Sequence, residues 1–157
     1  MVEVYRENVA AIIINKDKKV LMCEHVWIDD AWQLPQGGIE ENENIEVAIL
    51  RELNEELGSK NFKIISKMNE KIKYKFPYYL KEKYGFNGQE QTFFLIYFHG
   101  DDSEIRFDNQ EKPEFKSFEW VSIEQPAIRV IYFKKLSYLK AIDYFKEEIK
   151  NIDLNKV

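Results

Sequence analysis

Gly37-Gly38-Ile39-Glu40-Glu41-Asn42-Glu43-Asn44-Ile45-Glu46-Val47-Ala48-Ile49-Leu50-Arg51-Glu52-Leu53-Asn54-Glu55-Glu56-Leu57-Gly58 is the stretch that decides the fold of this 157-residue chain. Its second half predicts a helix over Asn44 to Leu57, with Asn42 or Asn44 as N-cap and Gly58 as the C-terminal stop. At about 100° per residue, Ile45, Ala48, Ile49, Leu53 and Leu57 gather into one stripe that must face a core. Glu52 and Glu56 fall inside that stripe, and Glu55 at its edge. Two carboxylates one turn apart on a partly buried face repel each other and are costly to desolvate. They become tolerable if they converge on a hard divalent cation, whose natural shell is oxygen. The plainer alternative is a solvated acidic helix with i,i+4 partners, and Glu-x-x-Glu-Glu alone does not choose between the two.

Working outward, Val9 to Ile14 is short, apolar and partly β-branched, and Val20 to Cys23 reads as its return strand across the turn-like Asn15-Lys16-Asp17-Lys18-Lys19. Trp32 to Gly38 (WQLPQGG) is a strand end running into a loop. Lys71 to Phe76 alternates charge and bulk, Thr92 to Phe98 is nearly all apolar, and Phe118 to Val121 is a further strand. Leu136, Leu139, Ile142, Phe145 and Ile149 predict an amphipathic C-terminal helix, and Asn151 onward a frayed tail. Strands and helices mixed without a regular βαβ period give the α+β class: one domain over residues 1–150 with a tail at 151–157.

Composition bounds the function. With 45% hydrophobic and 32% charged residues the chain is globular rather than disordered. A single cysteine, Cys23, excludes an intrachain disulfide framework and a four-cysteine zinc site. No run approaches the ~18 apolar residues of a membrane span, and the first residues lack a signal layout, so the expectation is a cytoplasmic protein without a membrane partner. A net charge of −5 argues against coating duplex DNA. It leaves room for a phosphate-rich ligand gripped through a divalent cation, which supplies the missing positive charge.

The run Gly37-x5-Glu43-x7-Arg51-Glu52-Leu53-x-Glu55-Glu56-x-Gly58 resembles the signature of the Nudix hydrolases, with one departure: Ser59 stands where an aliphatic residue usually closes the box and is expected to loosen the loop. The resemblance implies an α/β/α sandwich with a mixed central sheet that binds magnesium or manganese. Family members hydrolyse a nucleoside diphosphate linked to another group. Carried over, Glu52, Glu55 and Glu56 would hold the metal and serve the catalysis, Arg51 and Glu43 would brace the loop against the helix, and the main-chain carbonyl of Gln36 would also touch a metal.

Further segments are similar, in order, to the bacterial RNA pyrophosphohydrolases, relatives of the dinucleoside polyphosphate hydrolases. They are Tyr5-Arg6-x-Asn8-Val9, Trp32 to Gly38, Tyr74-Lys75-Phe76-Pro77, Gly88-Gln89-x-Gln91-x-x-Phe94-Leu95, Pro113-Glu114-Phe115 and Phe133-Lys134-x-x-x-Tyr138. This similarity implies that Glu114 is an extra metal-binding carboxylate and a candidate general base. By the same carry-over Arg6 and Lys134 hold phosphates, Tyr74 donates its hydroxyl to one, and Phe133 stacks on a base. The implied activity converts 5′-triphosphorylated RNA ends to 5′-monophosphates. The alternatives are a hydrolase of diadenosine tetraphosphate-type dinucleotides and a non-catalytic nucleotide sensor, and a protein activator is left unspecified. Glu24-His25 departs from the relatives, which usually carry an arginine there, and an acid beside phosphates is unfavourable. Lys71 to Phe86 interleaves basic and aromatic residues, which suits a single-stranded phosphate backbone or, equally, a lysine-protected sheet edge followed by a loop.

Overall fold

The computed structural model describes residues 2–157. Its elements run β1 (Tyr5–Ile14), β2 (Val20–His25), β3 (Trp32–Gln33), β4 (Gln36–Gly38), α1 (Ile45–Leu57), β5 (Phe62–Lys67), β6 (Ile72–Lys75), α2 (Tyr78–Tyr84), β7 (Gly88–Phe98), β8 (Phe115–Val121), α3 (Gln125–Arg129) and α4 (Lys135–Asn151). From Asn8 onward β1 is buried on both faces. A strand of that kind needs a layer on each side, and it gets both. Val9, Ala11 and Ile13 pack with Ala48, Ile49, Leu53 and Leu57 of α1. Ala10, Ile12 and Ile14 pack with Tyr138, Ala141, Phe145 and Ile149 of α4. Each large apolar side chain taken fully out of water contributes roughly 1.5–3 kcal/mol.

The eight strands form one mixed sheet. β1 runs parallel to β7 in an unbroken register from Tyr5↔Gly88 to Ile14↔Tyr97. β7 pairs antiparallel with β5 and β6 on its other side. β4 pairs antiparallel with β1 through Asn8, Val9 and Ala10, which delivers Gly37 and Gly38 to the sheet beside α1. β2 pairs with β3 and with β8, and the β2–β8 register shifts between Glu24 and His25. The result is the expected α/β/α sandwich of the α+β class.

Four expectations change. The hairpin of β1 and β2 meets only at Ile14↔Val20, because β1 is drawn to β7 and β4 while β2 goes to β8 and β3. On α4 the buried face is Tyr138, Ala141, Phe145 and Ile149, whereas Leu136 and Leu139 are exposed. A tyrosine and an alanine set the phase there, and a count of aliphatic residues alone mistakes it. Beyond Asn151, Ile152 and Leu154 pack against the core, and Asp153 caps a closing 3-10 turn over Leu154–Lys156, so this tail is anchored. Ser59 is buried and pinned: its hydroxyl donates to Glu104 Oε1 at 3.0 Å and accepts from the Asn61 amide at 3.0 Å.

Candidate functional site

The frame of the site is built locally. Asn44 caps α1 by accepting from the Val47 amide at 2.8 Å, and Gly58 ends the helix in the left-handed region at φ 77°. Between these caps Arg51 organises the loop. Its Nε and Nη2 donate to the two Glu43 oxygens at 2.7 and 2.9 Å, and Nη2 also donates to the Gly38 carbonyl at 2.9 Å. The Arg51 fork holds the Glu43 carboxyl well below its ordinary range, at about 2. Nη1 reaches the other way, to Glu52 Oε1 at 3.0 Å and Glu55 Oε2 at 3.2 Å. Arg51 therefore orients Glu52 and Glu55, two of the three candidate metal-holding glutamates of α1, as well as the loop.

Those glutamates stand in different surroundings. Burial pushes the Glu52 carboxyl up, with Arg51 opposing. Burial, then the Glu52 charge, pushes up Glu56, whose Oε2 is buried with no hydrogen-bond partner among the described residues. Glu55 lies at the edge, its side chain 42% exposed. Across from them Glu114, just before β8, is pushed up to about 7 by burial and then by the charges of Glu56 and Glu52. Gly37 is where this packing touches the main chain: a Cβ there would sit 2.0 Å from Cδ of Glu52. Among the described residues no three acidic, histidine or cysteine side chains already converge as a cage. Like charges hold apart, and Arg51 draws two of them aside. The donor set nonetheless fits a hard divalent cation: all-oxygen, partly desolvated, mutually repelling, with one buried oxygen orphaned.

Arg6, Tyr74, Glu114, Phe133 and Lys134 all line one cavity of about 280 Å³. Glu52, Glu55 and Glu56 do not line it, although the charges of Glu52 and Glu56 act on Glu114 at its wall. Arg6 comes from the start of β1, with Nη2 so close over Gly38 that a Cβ there would lie 2.3 Å away. Lys134 is buried, and burial pulls its ammonium down to about 8 against the attraction of Glu114. Phe133 packs against Tyr74 at 5.9 Å between ring centroids and edge-on to Phe76 at 6.5 Å. Tyr74 is buried, and its hydroxyl proton goes to Gln89 Oε1 at 2.8 Å rather than into the cavity.

Sequence reasoning passed over part of this wall. Gln89 of β7 lines the cavity, and Gln91, two residues further along the strand, stands behind the lining residue Gln36. Asn8 Nδ2 donates to Gln89 Oε1 at 2.6 Å, and Gln91 Nε2 donates to Gln36 Oε1 at 2.7 Å. Their signal was polarity at alternate positions entering an otherwise apolar strand. Leu80 and Tyr84 of α2, with Phe76 and Phe86, close the cavity's apolar side. Glu24 is turned away, accepting from the Asp30 amide at 2.8 Å and the Ser117 hydroxyl at 2.7 Å. His25 lines the cavity, with its pKa lowered by burial and then by Lys134 and Lys83. A second hollow of about 360 Å³ shares His25, Gln33, Phe133 and Lys134 with the first.

Comparison with known proteins agrees with this fold. The NUDIX domain family matches residues 4–141. The chain is 37% identical over 150 residues to an RNA pyrophosphohydrolase of Campylobacter jejuni, covering 92% of this chain and 94% of that protein. It is also 37% identical over 156 residues to the chloroplastic Nudix hydrolase 26 of Arabidopsis thaliana, covering 94% of this chain and 72% of the relative. Among solved structures, the dihydroneopterin triphosphate pyrophosphohydrolase of E. coli superposes with a TM-score of 0.72 at 22% identity, over 92% of this chain and 97% of that one.

Proposed function

The chain belongs to the Nudix hydrolases, enzymes of phosphoric anhydride bonds that use divalent metal ions, and from that premise we propose that it hydrolyses the 5′-triphosphate end of RNA to a 5′-monophosphate. The observation that carries the reading is one cavity bearing two cationic side chains, Arg6 and Lys134, an acid of near-neutral pKa, Glu114, and an aromatic face, Phe133. Phosphates, an attacking water and a base each have a matching group. The curated relatives named RNA pyrophosphohydrolase, which match nearly end to end, support the same substrate.

Glu52, Glu55, Glu56 and Glu114 would hold the cation, magnesium or manganese. When bound it supplies the charge that neutralises the phosphate oxygens. Arg6 and Lys134 fix the phosphate chain in the cavity. Glu114, as carboxylate, takes a proton from the water whose oxygen attacks phosphorus. The anhydride bond breaks and its electrons go to the leaving oxygen, which belongs to pyrophosphate when the α-phosphorus is attacked and to the shortened RNA end when phosphates are released in succession. Phe133 offers a base a stacking face, worth about 1–3 kcal/mol. No covalent nucleophile is needed: Cys23 is buried, and burial pushes its thiol well up.

A second reading, hydrolysis of a dinucleoside polyphosphate, is favoured by one observation. The adjoining hollow shares Phe133 and His25 with the first, so a ligand with a nucleoside at each end could use both. The test is a side-by-side rate comparison with magnesium on triphosphorylated RNA, diadenosine tetraphosphate and free nucleoside triphosphates. Rapid conversion of the RNA end supports the first reading. Intact RNA alongside rapid cleavage of the dinucleotide overturns it in favour of the second.

A further inference from the structure

The lysine- and tyrosine-rich segment from Lys71 to Phe86 divides into two parts with different environments. On and just before β6 every lysine has an acidic partner: Lys71 pairs with Glu7 and Glu90, Lys73 with Glu90, and Lys75 with Glu3. Lys73 also lies over the Tyr5 ring at 4.9 Å. Those charges are neutralised along a sheet edge, and they offer little to an anion. α2 is the opposite case. Its seven residues bury no side chain, and Tyr78, Tyr79 and Tyr84 are 74%, 60% and 52% exposed. Lys81 and Lys83 sit in its last turn, and among the described residues neither forms an ion pair. The Lys83 ammonium lies over the Tyr84 ring, 5.3 Å from its centroid.

A solvent-exposed helix carrying three tyrosines and burying none is not explained by core packing. α2 is nevertheless held in place. Pro77 and Gly85, in the left-handed region at φ 76°, bound it. Asn87 ties its end to the chain start, donating to the Val4 carbonyl at 2.7 Å and accepting from the Val4 amide at 2.8 Å. Helical spacing sets its faces. Leu80 and Tyr84, one turn apart, form the cavity wall, with Tyr84 meeting Phe76 at 5.7 Å between ring centroids. Tyr79 and Lys83, likewise one turn apart, occupy the adjacent face, outside the rim. Lys83 is close enough to the mouth for its charge to act on His25 across the cavity.

Continuity with the cavity and charge identify what this face fits. The first cavity, about 280 Å³, is at the small end of ligand sites. A chain whose 5′ end is seated there must leave over the rim. On the α2 side the rim is half-exposed Tyr84, followed by the Tyr79 ring and the Lys83 ammonium, which forms no ion pair among the described residues. That alternation of stacking surface and positive charge suits single-stranded nucleic acid without regard to its sequence. We propose that the Tyr79–Lys83–Tyr84 edge of α2 is a platform that carries the nucleotides of the RNA downstream of its seated 5′ end. Bases stack on the tyrosines, and a phosphate meets Lys83. The proposal rests on the reading of the cavity as an RNA 5′-end site.

The experiment measures KM and kcat with magnesium on 5′-triphosphorylated oligoribonucleotides of increasing length, beginning with the dinucleotide. The unaltered protein and the Tyr79→Ala/Lys83→Ala double variant are compared. Both residues are exposed and off the cavity lining, and thermal unfolding of the variant checks that the fold is intact. For the unaltered protein KM should fall by about tenfold as the chain grows past the terminal nucleotides, the size expected from one stacked base. That fall should weaken with added salt. In the double variant the length dependence should shrink markedly, to what Tyr84 alone supplies, while kcat and KM on the dinucleotide stay the same. A KM independent of length in the unaltered protein, or an identical length dependence in the variant, overturns the platform while leaving the 5′-end reading standing. Failure to hydrolyse a 5′-triphosphorylated oligoribonucleotide of any length overturns the 5′-end reading itself, and the platform with it.

Discussion

Tyr74 donates its single hydroxyl proton to Oε1 of Gln89, 2.8 Å away, and the same oxygen accepts from Nδ2 of Asn8 at 2.6 Å. With Oε1 doubly engaged, the Gln89 amide is fixed in one orientation. Gln89 lines the cavity, so the donor group available to a substrate oxygen is its Nε2 rather than the Tyr74 hydroxyl. Tyr74→Phe should therefore cost about 1 kcal/mol of stability and change KM less than about threefold, since Asn8 still holds Gln89. Gln89→Leu strips the acceptor from two donors, should cost about 1–3 kcal/mol, and should raise KM more than Tyr74→Phe does. Urea unfolding with steady-state kinetics on both variants checks this. A larger KM effect at Tyr74 would return the phosphate-donor role to its hydroxyl.

Gly37 is required for space, not for backbone freedom. Its φ lies outside the left-handed region, yet a Cβ would lie 2.0 Å from Glu52 Cδ and 2.3 Å from its Cγ and Oε2. The obstructing atoms, Cγ, Cδ and Oε2, all belong to one flexible side chain that can rotate aside, so Gly37→Ala should fold with about 1 kcal/mol of lost stability. The Glu52 carboxylate must then swing away from the loop, and kcat should drop by about tenfold or more. Melting temperature and kcat measured on the same sample separate the two effects. A variant with full activity would show that the carboxylate's place against Gly37 is immaterial.

Glu43 carries a pH signature. Its folded pKa, about 2, lies below the ordinary 4.5 because of the Arg51 fork. A depressed carboxyl pKa stabilises the fold above the unfolded value, and that stabilisation is lost as pH falls through the folded value. Stability should thus decline from pH 4.5 down to about 2, and Glu43→Gln should flatten that limb while lowering stability at neutral pH. Urea midpoints of both proteins from neutral pH down through that window test it. Parallel curves would mean that the fork does not contribute.

The residues explain why some of this was legible. α1 could be placed almost to the residue because Asn44 and Gly58 are local caps and the Ala48, Ile49, Leu53, Leu57 stripe has one period. The anomaly of Glu52 and Glu56 inside that stripe was also visible, being a local conflict between charge and burial. What escaped depends on partners far along the chain. The β1–β7 pairing joins residues 83 apart in sequence, and nothing near β1 encodes it. The phase of α4 turns on Tyr138, whose hydroxyl accepts from the Leu34 amide at 2.9 Å, and a polar tip does not advertise burial. Arg51 was readable as the partner of Glu43, but its hold on Glu52 and Glu55 depends on which rotamer the folded loop allows.

The charges of Glu56 and Glu52 act on Glu114, and if these acids hold the cation as proposed, stability, pH and cation binding are coupled there. Glu114 titrates near 7 instead of 4.5 because burial and then the Glu56 and Glu52 charges oppose its ionisation. A raised carboxyl pKa means the folded state binds more protons than the unfolded one between those values. This group therefore makes the metal-free protein less stable as pH rises from 4.5 to about 7, with no further change above. Glu114→Gln should remove that slope and raise stability at neutral pH by roughly 1–3 kcal/mol, since a tenfold change in proton affinity is worth about 1.4 kcal/mol. Glu56→Gln should also leave the fold as stable or more so, because it deletes a charge with a buried, unpartnered oxygen. Turnover of that variant should nevertheless fall by about 10²–10⁴-fold. Magnesium or manganese should raise the melting temperature of the unaltered protein and do so less for either variant. Calorimetry with and without cation, beside single-turnover rates, reads all three effects. Undiminished turnover in Glu56→Gln, or an equal thermal shift in all three proteins, would remove these acids from the cation site.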